Sequence, residues 1–545
     1  MTDSGTESTA SDGGAVRVVL VLGSDHPDAW IRRVIEDCLS SPACRLIAIL
    51  IAGTIARGAL SARPRVSGNF YRRLDDRLFP AKPDAFARAD LPSGVHIDQS
   101  DVFLTDDHTV LGRQVLSRLE EQQVDVVLAL GVPNLEATCP TTMSMWSLDI
   151  GGRAHSSWVT GPVPELVAGK HLVVITLRES STRPRLLGAI RRTVTAVIPW
   201  SASLTRNKAM WSSANLIMNA LRQVQDRTAC SESCNLPLTV SDVGLSTPSR
   251  RANRAFTLRQ VTRLAAHAMV RTVARDQWGI AYRARNTRMN FGQGGGYRLL
   301  KAPPGHSYAD PFLIEHSGQH WLFVEDYVYA NNRARLVCFE LSDNGGQEIV
   351  PVLDEPYHLS YPFVFRRQGE VFMIPESGQT GTIELYRSTS FPDRWEPLGP
   401  ILSRVWASDA TVAEYAGLLW LFVTLARSGM HPSDELHLYF ATDLMGPWQA
   451  HPMNPIVNDV RAGRAAGRPY LMDGTLIRPA QDSASRYGHA INFQAVTLLT
   501  VDDYKEATVG RLQADQVGAT ATHTYNFDAR YEVIDLLKSR VRWHS

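Results

Sequence analysis

Acidic residues introduce short β-prone runs in the C-terminal half of the chain, and their spacing suggests carboxylate chemistry. Asp310 lies in SYADPFLI, Asp409 in ASDATVA and Asp473 in LMDGTLI, and Tyr361 holds the corresponding place in LSYPFVF. These four anchor residues are 51, 48 and 64 residues apart. A second β-prone run ends fifteen residues after each anchor, and we predict that the anchors are equivalent positions of a repeated unit; the second runs end at Glu325, Glu376, Thr424 and Gly488.

Carboxylates that meet in one polar site can supply the acid and the base of glycoside chemistry. When two of them repel each other in a partly dry site, their pKa values separate, so one stays protonated and the other ionised. We predict that Asp310, Glu376 and Asp409 are catalytic. The alternative is structural, because an Asp at the start of a strand often bonds neighbouring backbone amides. It applies to Asp310 and to Asp473, which is followed by glycine.

The repeat length indicates the architecture that would bring the anchors together. A third apolar run follows each hairpin, and a fainter fifth copy, THTYNF, contains His523, 50 residues after Asp473. Such units are typical of β-propellers, because one meander cannot bury both of its faces alone. We predict a closed five-bladed propeller over residues 275–545. Its inner strands would carry the four anchors and His523 to one central channel.

The motifs of this region resemble those of known propellers. SYADPF, WLFVED, YPFVF with PESG and IELYR, SDAT, and the RP, QD and YG pairs between Arg478 and Gly488 are similar to the five-bladed glycosidase propellers of arabinanases and β-xylosidases. More closely, they resemble the N-terminal propeller domain of glucosamine inositolphosphorylceramide transferases and their bacterial relatives. The glycosidase likeness implies Asp310 as base, Asp409 as the residue that sets a pKa, and Glu376 as acid. The residues flanking Glu376 depart from the glycosidase acid motif.

The resemblance implies a carbohydrate-active enzyme, most simply a glycosyl-group transferase acting on a glycoconjugate or a sugar-containing metabolite, with a nucleotide sugar as candidate donor. In the plant proteins a separate domain carries glycosyl transfer. A non-catalytic sugar-binding module and a glycoside hydrolase therefore stay open as alternatives. Flat aromatic rings and charged groups suit sugars. The predicted substrate-binding residues are Glu325, Asp326, Tyr361, Asp473, Arg478, Gln481, Tyr487 and His523.

Residues 15–180 alternate buried-strand patterns with helical periodicity, which predicts a doubly wound α/β domain. AVRVVLVLG, RLIAILIAG and VDVVLALG read as parallel strands, and an amphipathic helix follows the first. Ligands of such folds lie beyond the carboxyl ends of the strands. We therefore predict Gly23, Ser24 and Asp149 as cofactor-binding positions.

The order of these elements, with WSLDIGG and VTGPVPELVAGKHLVVITL, resembles the formyltransferases that use formyl-tetrahydrofolate. In that family an Asn-x-His motif supplies a general acid and base, but the matching positions here are Ser147 and Asp149. Neither reproduces an imidazole that titrates near neutrality. We predict no formyl transfer and no bound folate, and expect either a changed ligand or a scaffold.

Residues 181–274 have helical periodicity and are predicted to form an Arg-rich connecting region between the two domains. Arginines recur from Arg250 to Arg288, with Asp276 as almost the only acid. This pattern indicates either peripheral contact with an anionic membrane or a solvated face that pairs with acidic residues of the neighbouring domains.

Composition sets the outer limits. A chain of 545 residues with 44% hydrophobic and 20% charged residues suits two or three globular domains, and a net charge of +1 argues against a nucleic-acid partner. Residues 1–14 read as a disordered leader without the features of a secretory signal. Six scattered cysteines fit reduced thiols, so we predict a cytoplasmic protein. Cys230 and Cys234 lack the partners of a zinc site, and we predict no metal.

Overall fold

Two units in contact make up the computed structural model, an α/β unit and a ring of five β-sheets. The ranges described are 14–52, 69–98, 102–104, 108–137, 143–154, 163–179, 191–226, 274–285, 295–343, 345–346, 348–427 and 433–541, together with residues 291 and 429 and parts of 256–269. Residues 1–13 of the predicted leader, Cys139, Cys230, Cys234 and parts of the Arg-rich segment lie outside these residues. Membrane contact through that segment stays a prediction.

The α/β unit is built on a sheet with strand order β11-β10-β8-β6-β1-β2-β3, and β9 pairs with β8. Strands β8, β6, β1, β2 and β3 run parallel, whereas β10 pairs antiparallel with both β8 and β11. A smaller sheet contains β4, β5 and β7. In chain order the elements are β1 (Val16–Leu22), α1 (Ala29–Ser40), β2 (Cys44–Ile51), α2 (Asn69–Leu78), β3 (Ile97–Asp98), β4 (Val102–Leu104), β5 (His108–Leu111), α3 (Arg113–Glu121), β6 (Val126–Leu130), β7 (Asn134–Ala137), β8 (Ser144–Ile150), β9 (Arg153–Ala154), α4 (Pro164–Val167), β10 (Leu172–Glu179), β11 (Arg191–Ala196) and α5 (Ala202–Asp226).

Strand β1 is apolar from Val18 to Leu22 because both of its faces are covered there. Val18 and Leu20 pack in one core with α1 and α5, and Val19 and Val21 pack in a second core with α3. Helices therefore lie on both faces of the parallel strands, as a run without polar alternation indicates. The finer likeness to formyltransferases stays a prediction.

The α/β unit extends beyond residue 180, where the sequence had placed its end. Strand β11 completes the sheet, and α5 packs on the core beside α1. The residues described between 191 and 226 are therefore part of this unit and not of a separate connecting region. Within the described portion of the chain, no helix has the length and apolar character needed to cross a membrane.

The second unit is a five-bladed β-propeller. Blades 1 to 4 follow one another along the chain, and blade 5 combines β12 and β13 with β32 and β33. Its strands are β12 (Ala274–Ala284), β13 (Arg298–Leu300), β14 (His306–His316), β15 (Gln319–Val328), β16 (Arg333–Ser342), β17 (Gly345–Gly346), β18 (Val350–Leu353), β19 (Ser360–Arg367), β20 (Glu370–Glu376), β21 (Thr382–Ser390), β22 (Arg394–Ser403), β23 (Ala407–Tyr415), β24 (Leu418–Leu425), β25 (Leu436–Ala441), β26 (Gln449–Ala450), β27 (Arg464–Ala465), β28 (Tyr470–Met472), β29 (Thr475–Asp482), β30 (Ala490–Leu499), β31 (Tyr504–Gln513), β32 (Tyr525–Phe527) and β33 (Tyr531–Val541).

Blade 5 closes the ring with strands from opposite ends of the propeller chain. Strand β12 pairs with β33 over its whole length, from Ala274 opposite Val541 to Ala284 opposite Tyr531. Blades 1 to 4 begin with the inner strands β14, β19, β23 and β27, and β32 is the inner strand of blade 5. Their amino-terminal ends share one face of the ring. We call the mouth of the channel on this face the funnel.

The two units are joined at blade 3 and the loop that leads to blade 4. The Val194 N–H donates to the Asn458 carbonyl at 3.0 Å, and the Val460 N–H donates to the Val194 carbonyl at 3.0 Å. Lys208 Nζ lies 3.1 Å from Asp434 Oδ1, and both side chains are buried. These contacts hold β11 and α5 against the loops of blades 3 and 4 at the end of the ring where the inner strands begin.

Candidate functional site

Three anchor residues occupy matching positions near the starts of the inner strands of blades 1 to 3. Asp310, Tyr361 and Asp409 have φ values of +50°, +46° and +52°. In each strand the pairing shifts by one residue at this point, which is the signature of a β-bulge. The residue before each anchor lies opposite Glu325, Glu376 or Thr424, so the fifteen-residue spacing in the sequence is the span of one hairpin.

The bulges aim backbone N–H groups at carboxylates of the preceding blade. The Asp310 N–H donates to Asp535 Oδ2 at 3.4 Å, the Tyr361 N–H donates to Asp310 Oδ2 at 3.2 Å, and the Asp409 N–H donates to Glu376 Oε2 at 3.0 Å. We call this series the interblade relay. It shows that these carboxylates have a structural role in addition to any chemistry.

Asp473 does not lie with the other anchors, and that prediction is wrong. It is exposed in the two-residue turn between β28 and β29, where Asp473 and Gly474 have φ values of +49° and +78°. Asp and Gly favour such a hairpin turn because both tolerate positive φ. Arg464, on the short inner strand β27, takes the anchor position of blade 4 and lies opposite Gln481.

His523 lies between two buried carboxylates from different blades. Its Nε2 is 3.0 Å from Asp310 Oδ1, and its Nδ1 is 3.0 Å from Asp535 Oδ2. Burial acts to lower the pKa of His523, but Asp535 and Asp310 outweigh burial and raise the pKa to about 10. His523 is therefore a cation at neutral pH.

Asp310 is ionised as a consequence. Burial acts to raise its pKa, but the charge of His523 and hydrogen bonds from His523 and Thr524 lower the pKa below its usual value. The Thr524 hydroxyl donates to Oδ1 at 2.9 Å, while Oδ2 accepts the Tyr361 N–H. Protein donors thus occupy about three of the four acceptor positions of this carboxylate.

A second charged group lies between blades 3 and 4. The Arg464 guanidinium binds both oxygens of Asp409, with Nη2 3.1 Å from Oδ1 and Nε on Oδ2. Gln481 Nε2 also donates to Asp409 Oδ2, at 2.9 Å. The geometry is the bidentate one in which arginine binds carboxylates best. Asp409 is buried and is fully engaged by these two partners.

Two glutamates at the funnel have raised pKa values. Burial and the charge of Asp409 raise the pKa of Glu376 well above its usual value, although Arg464 opposes the shift. Burial also raises the pKa of Glu325, and a hydrogen bond from His358, at 3.3 Å, opposes it. The Glu376 side chain is 18% exposed, so a ligand in the funnel can reach it.

Aromatic rings line the funnel on the side of blade 5. The Tyr487 ring lies 4.9 Å from the imidazole of His523 and meets Trp278 edge to face at 6.2 Å. The Arg464 guanidinium lies 5.4 Å from the Tyr487 ring centre. Tyr487 is 40% exposed, so one part of its ring is open to a ligand. Tyr361, in contrast, is fully buried, and its hydroxyl accepts the Gly467 N–H at 2.9 Å.

Two predicted substrate-binding residues lie inside blades and away from the funnel cluster. Asp326 follows Glu325 on β15 and therefore points to the opposite face of that strand, where it binds His306 and Arg335 at 2.7 and 3.0 Å. Arg478 is 1% exposed, and its guanidinium is bound to Glu506 at 2.7 Å. Their burial and ion pairs make both of them structural, which corrects the prediction.

The predicted cofactor positions of the α/β unit share the carboxyl edge of its sheet. Gly23 and Ser24 follow β1 directly. Asp149 lies near the end of β8, where its Oδ2 is 3.2 Å from Arg178 Nε. Ser147 is buried beside it on the same strand. The contacts of these residues assign them no cofactor role, and cofactor binding at this edge stays a prediction.

The cluster around His523 also has the composition of a metal site. Ligand atoms of Asp310, His523 and Asp535 lie within 4.8 Å of one another. A protonated imidazole cannot coordinate a metal, since both of its nitrogens carry hydrogen. A metal ion would have to displace a proton from the imidazole to bind here, and the absence of a metal stays a prediction.

Sequence reasoning missed three residues of the site. Arg464 lies on a two-residue strand without an apolar run, so no β-pattern marked it. Thr524 directly precedes β32 and Asp535 lies within β33, where its Oδ1 accepts the N–H groups of His523 and Thr524 at 2.7 and 3.0 Å. The polar Asp535 within the apolar run YEVIDLL was the available signal.

Comparison with known sequences gives a match confined to the propeller. Residues 301–540 match the family profile described as glucosamine inositolphosphorylceramide transferase 1, N-terminal. The rice protein (Oryza sativa subsp. japonica) named glucosamine inositolphosphorylceramide transferase 1 is 34% identical over 211 residues, which are 38% of this chain and 28% of the rice protein. The Arabidopsis thaliana protein of that name is 30% identical over 236 residues, 42% of this chain and 31% of the relative. The chain thus covers less than a third of their length.

Solved structures similar to this chain include glycoside hydrolases. Zg3597, a family 117 glycoside hydrolase of Zobellia galactanivorans, has a TM-score of 0.30 and 12% identity, over 48% of this chain and 90% of that one. The RS223 β-xylosidase has a TM-score of 0.33 and 13% identity, over 44% of this chain and 93% of that one.

Proposed function

We propose that the funnel binds a sugar residue of a glycoconjugate and that the chain is a carbohydrate-active enzyme of the glycosyl-transfer type. The observation that carries the proposal is the meeting of Glu376, Asp409 and Asp310 in one partly open site, with Glu376 18% exposed. Burial and the charge of Asp409 raise the pKa of Glu376, whereas His523 lowers the pKa of Asp310. The relatives' name, glucosamine inositolphosphorylceramide transferase, suggests an amino sugar as the glycosyl group.

In the proposed reaction Glu376 is the general acid. Its Oε1 side gives a proton to the oxygen that leaves the anomeric carbon, and the bond between that carbon and oxygen breaks. Positive charge then develops on the sugar ring, and the acceptor hydroxyl that attacks the anomeric carbon returns a proton to the Glu376 carboxylate. Activity should fall as pH rises through the pKa of Glu376, because the acid loses its proton.

Asp310 and Asp409 have a narrower role than the glycosidase likeness implied. Their oxygens are occupied by His523, Thr524 and the Tyr361 N–H, or by Arg464 and Gln481. A nucleophile or a base needs a free lone pair directed at the substrate. We therefore assign both residues electrostatic stabilisation of the charged ring, with no covalent bond to it.

The same observation favours a second candidate, a sugar-binding module without turnover. If the occupied carboxylates cannot exchange their protein partners for substrate, the funnel binds a sugar and performs no chemistry. The aromatic and charged lining serves that function equally well.

The test uses the full chain with glucosamine as binding probe, measured by calorimetry, and with aryl glucosaminides and nucleotide sugars as substrates. Glu376→Gln should keep glucosamine binding and lose turnover by about 10²-fold or more, the scale of general acid catalysis. Asp473→Asn is the matched control, because it removes an exposed carboxylate from a turn where Asn also tolerates the positive φ. Binding without turnover in the native chain selects the second candidate. Absence of binding to any of these sugars contradicts both.

A further inference from the structure

Two aromatic side chains on the funnel face are exposed although residues of their kind are usually buried. Among the exposed large hydrophobic residues in the described part of the chain, the aromatic ones are Trp406, at 66% exposure, and Tyr487, at 40%. Trp406 immediately precedes inner strand β23, and Tyr487 follows β29. Both segments lie at the end of the ring where the inner strands begin. The two rings therefore share the face that carries Glu376.

Trp406 lies beside the loop that follows Glu376. A Cβ atom placed on Gly378, two residues after Glu376, would be 3.6 Å from the Trp406 indole nitrogen. The ring of blade 3 thus lies against the loop that leaves the Glu376 strand of blade 2. Its backbone is fixed, since the Trp406 carbonyl accepts the Ala426 N–H at 2.9 Å.

A pair of charged residues lies beside the Tyr487 ring. Arg464 Nη2 is 3.5 Å from Glu376 Oε2, and the same guanidinium lies 5.4 Å from the centre of the Tyr487 ring. One exposed ring, Tyr487, therefore lies beside Arg464, and the other, Trp406, lies beside the loop that follows Glu376.

We propose that the funnel has two ring-binding subsites, one on Tyr487 and one on Trp406, with the linkage between the two ligand rings above Glu376. The ligand would be two linked polyol rings, either two sugars or a sugar joined to a cyclitol. This inference rests on the proposed function and specifies its substrate. The C–H faces of such rings pack on flat aromatics, and their hydroxyl groups bond charged side chains.

The surroundings of Trp406 favour a polyol ring over an alkyl chain. Ser403 and Arg404, three and two residues before it, are exposed and polar, the intervening Val405 is partly buried, and Ser377 lies one residue before Gly378. An alkyl chain would need a continuous apolar groove, whereas a single indole with polar neighbours matches a ring that has hydroxyl groups at its edge.

The experiment measures dissociation constants of two probes, glucosamine and glucosaminyl-myo-inositol, by calorimetry on the full chain. We expect the two-ring probe to bind about tenfold more tightly, the gain expected when one indole face is covered. Trp406→Ala should remove that gain and leave glucosamine binding unchanged, whereas Tyr487→Ala should weaken both. Leu471→Ala is the control, because Leu471 is 61% exposed at the opposite end of blade 4.

Three results would overturn the inference, and they differ from one another. Equal binding of the two probes, or a Trp406→Ala effect equal for both, removes the second subsite and leaves the proposed function standing. Absence of binding of either probe at millimolar concentration removes the proposed function as well. Loss of binding to phosphatidylcholine vesicles in Trp406→Ala, with sugar binding unchanged, assigns the indole to a lipid.

Discussion

Raising the pH from 7 to 9 should weaken the propeller through one residue, His523. Its pKa is about 10 in the folded chain and 6.5 in the reference state. A raised pKa means that the stabilising contribution is complete below pH 6.5 and is lost as the pH rises through 10. Linkage gives a contribution of about 4 kcal/mol at pH 7 and about 1.4 kcal/mol at pH 9, so the free energy of unfolding should drop by about 2.5 kcal/mol over this interval.

The assay is urea denaturation of the full chain at intervals of half a pH unit, followed by tryptophan fluorescence. His523→Gln should lose about 2.5 kcal/mol less than the native chain between pH 7 and 9, because no proton is lost from that position, whereas the buried thiols of Cys38 and Cys338 contribute equally to both profiles. The series stops at pH 9, below the range in which unfolded tyrosines ionise. If His523→Gln does not fold, Asp535→Asn serves instead: it removes one of the two anions, lowers the pKa of His523 and moves the alkaline loss to lower pH.

Two results would refute this reasoning. One is a native profile that stays flat from pH 7 to 9. The other is a native profile with the same slope as His523→Gln, which would place the titrating group elsewhere. Either result would mean that His523 is neutral between its two carboxylates.

Three further predictions concern the stability of buried charges, and each is checked by urea denaturation of the variant beside the native chain. Asp310→Asn should destabilise the fold at pH 7, because the lowered pKa of Asp310 means that its ionised form stabilises the fold. The difference in free energy of unfolding between variant and native chain should shrink as the pH falls below 4. A variant more stable than the native chain at pH 7 would contradict this prediction. Glu435→Gln should stabilise the chain by about 3 kcal/mol at pH 7, because burial and the charge of Asp434 raise the pKa of Glu435 from 4.5 to about 7. This gain in stability should vanish below pH 4.5. No gain at pH 7 would show that the carboxylate is well paired. Arg464→Met should cost about 3 to 5 kcal/mol, since it leaves Asp409 buried without its cation, and a cost below 1 kcal/mol would mean that water reaches Asp409.

The sequence period located the site in blades 1 to 3 because those hairpins have equal lengths. Asp310, Tyr361 and Asp409 each precede a fifteen-residue span that the bulge and the turn reproduce without insertion. Blade 4 does not follow this spacing. Its inner strand is only two residues long, and Asp473-Gly474 imitates the anchor pattern because an Asp followed by a small residue suits a hairpin turn as well as a bulge.

The direction of side chains along the strands explains two of the site residues that were predicted from the sequence but lie away from the channel. Strict alternation along β15 could have excluded Asp326, since its neighbour Glu325 faces the funnel. No local signal separates Arg478, bound to Glu506 inside its blade, from an arginine in the channel. The direction of each pKa shift also required the structure. The sequence predicted that mutual repulsion would raise the pKa of one carboxyl group. It did not show that the His523 cation lies beside Asp310 and lowers the pKa of that residue.

The closure of the ring by β12 and β33 bears on how the site comes into existence during folding. His523 and Asp535 belong to the closing blade, whereas Asp310 belongs to the first, so their ion pairs join the two sides of the seam. Strand β12 has an open edge until β33 arrives from the far end of the propeller chain, and pairings between such distant segments form late. Until then the carboxylates stay hydrated and the imidazole keeps its ordinary basicity. The funnel acquires its charge pattern only when β33 pairs with β12 and closes the ring. A chain arrested before closure would therefore be folded in most of its blades and still lack the arrangement of charges proposed to bind a sugar.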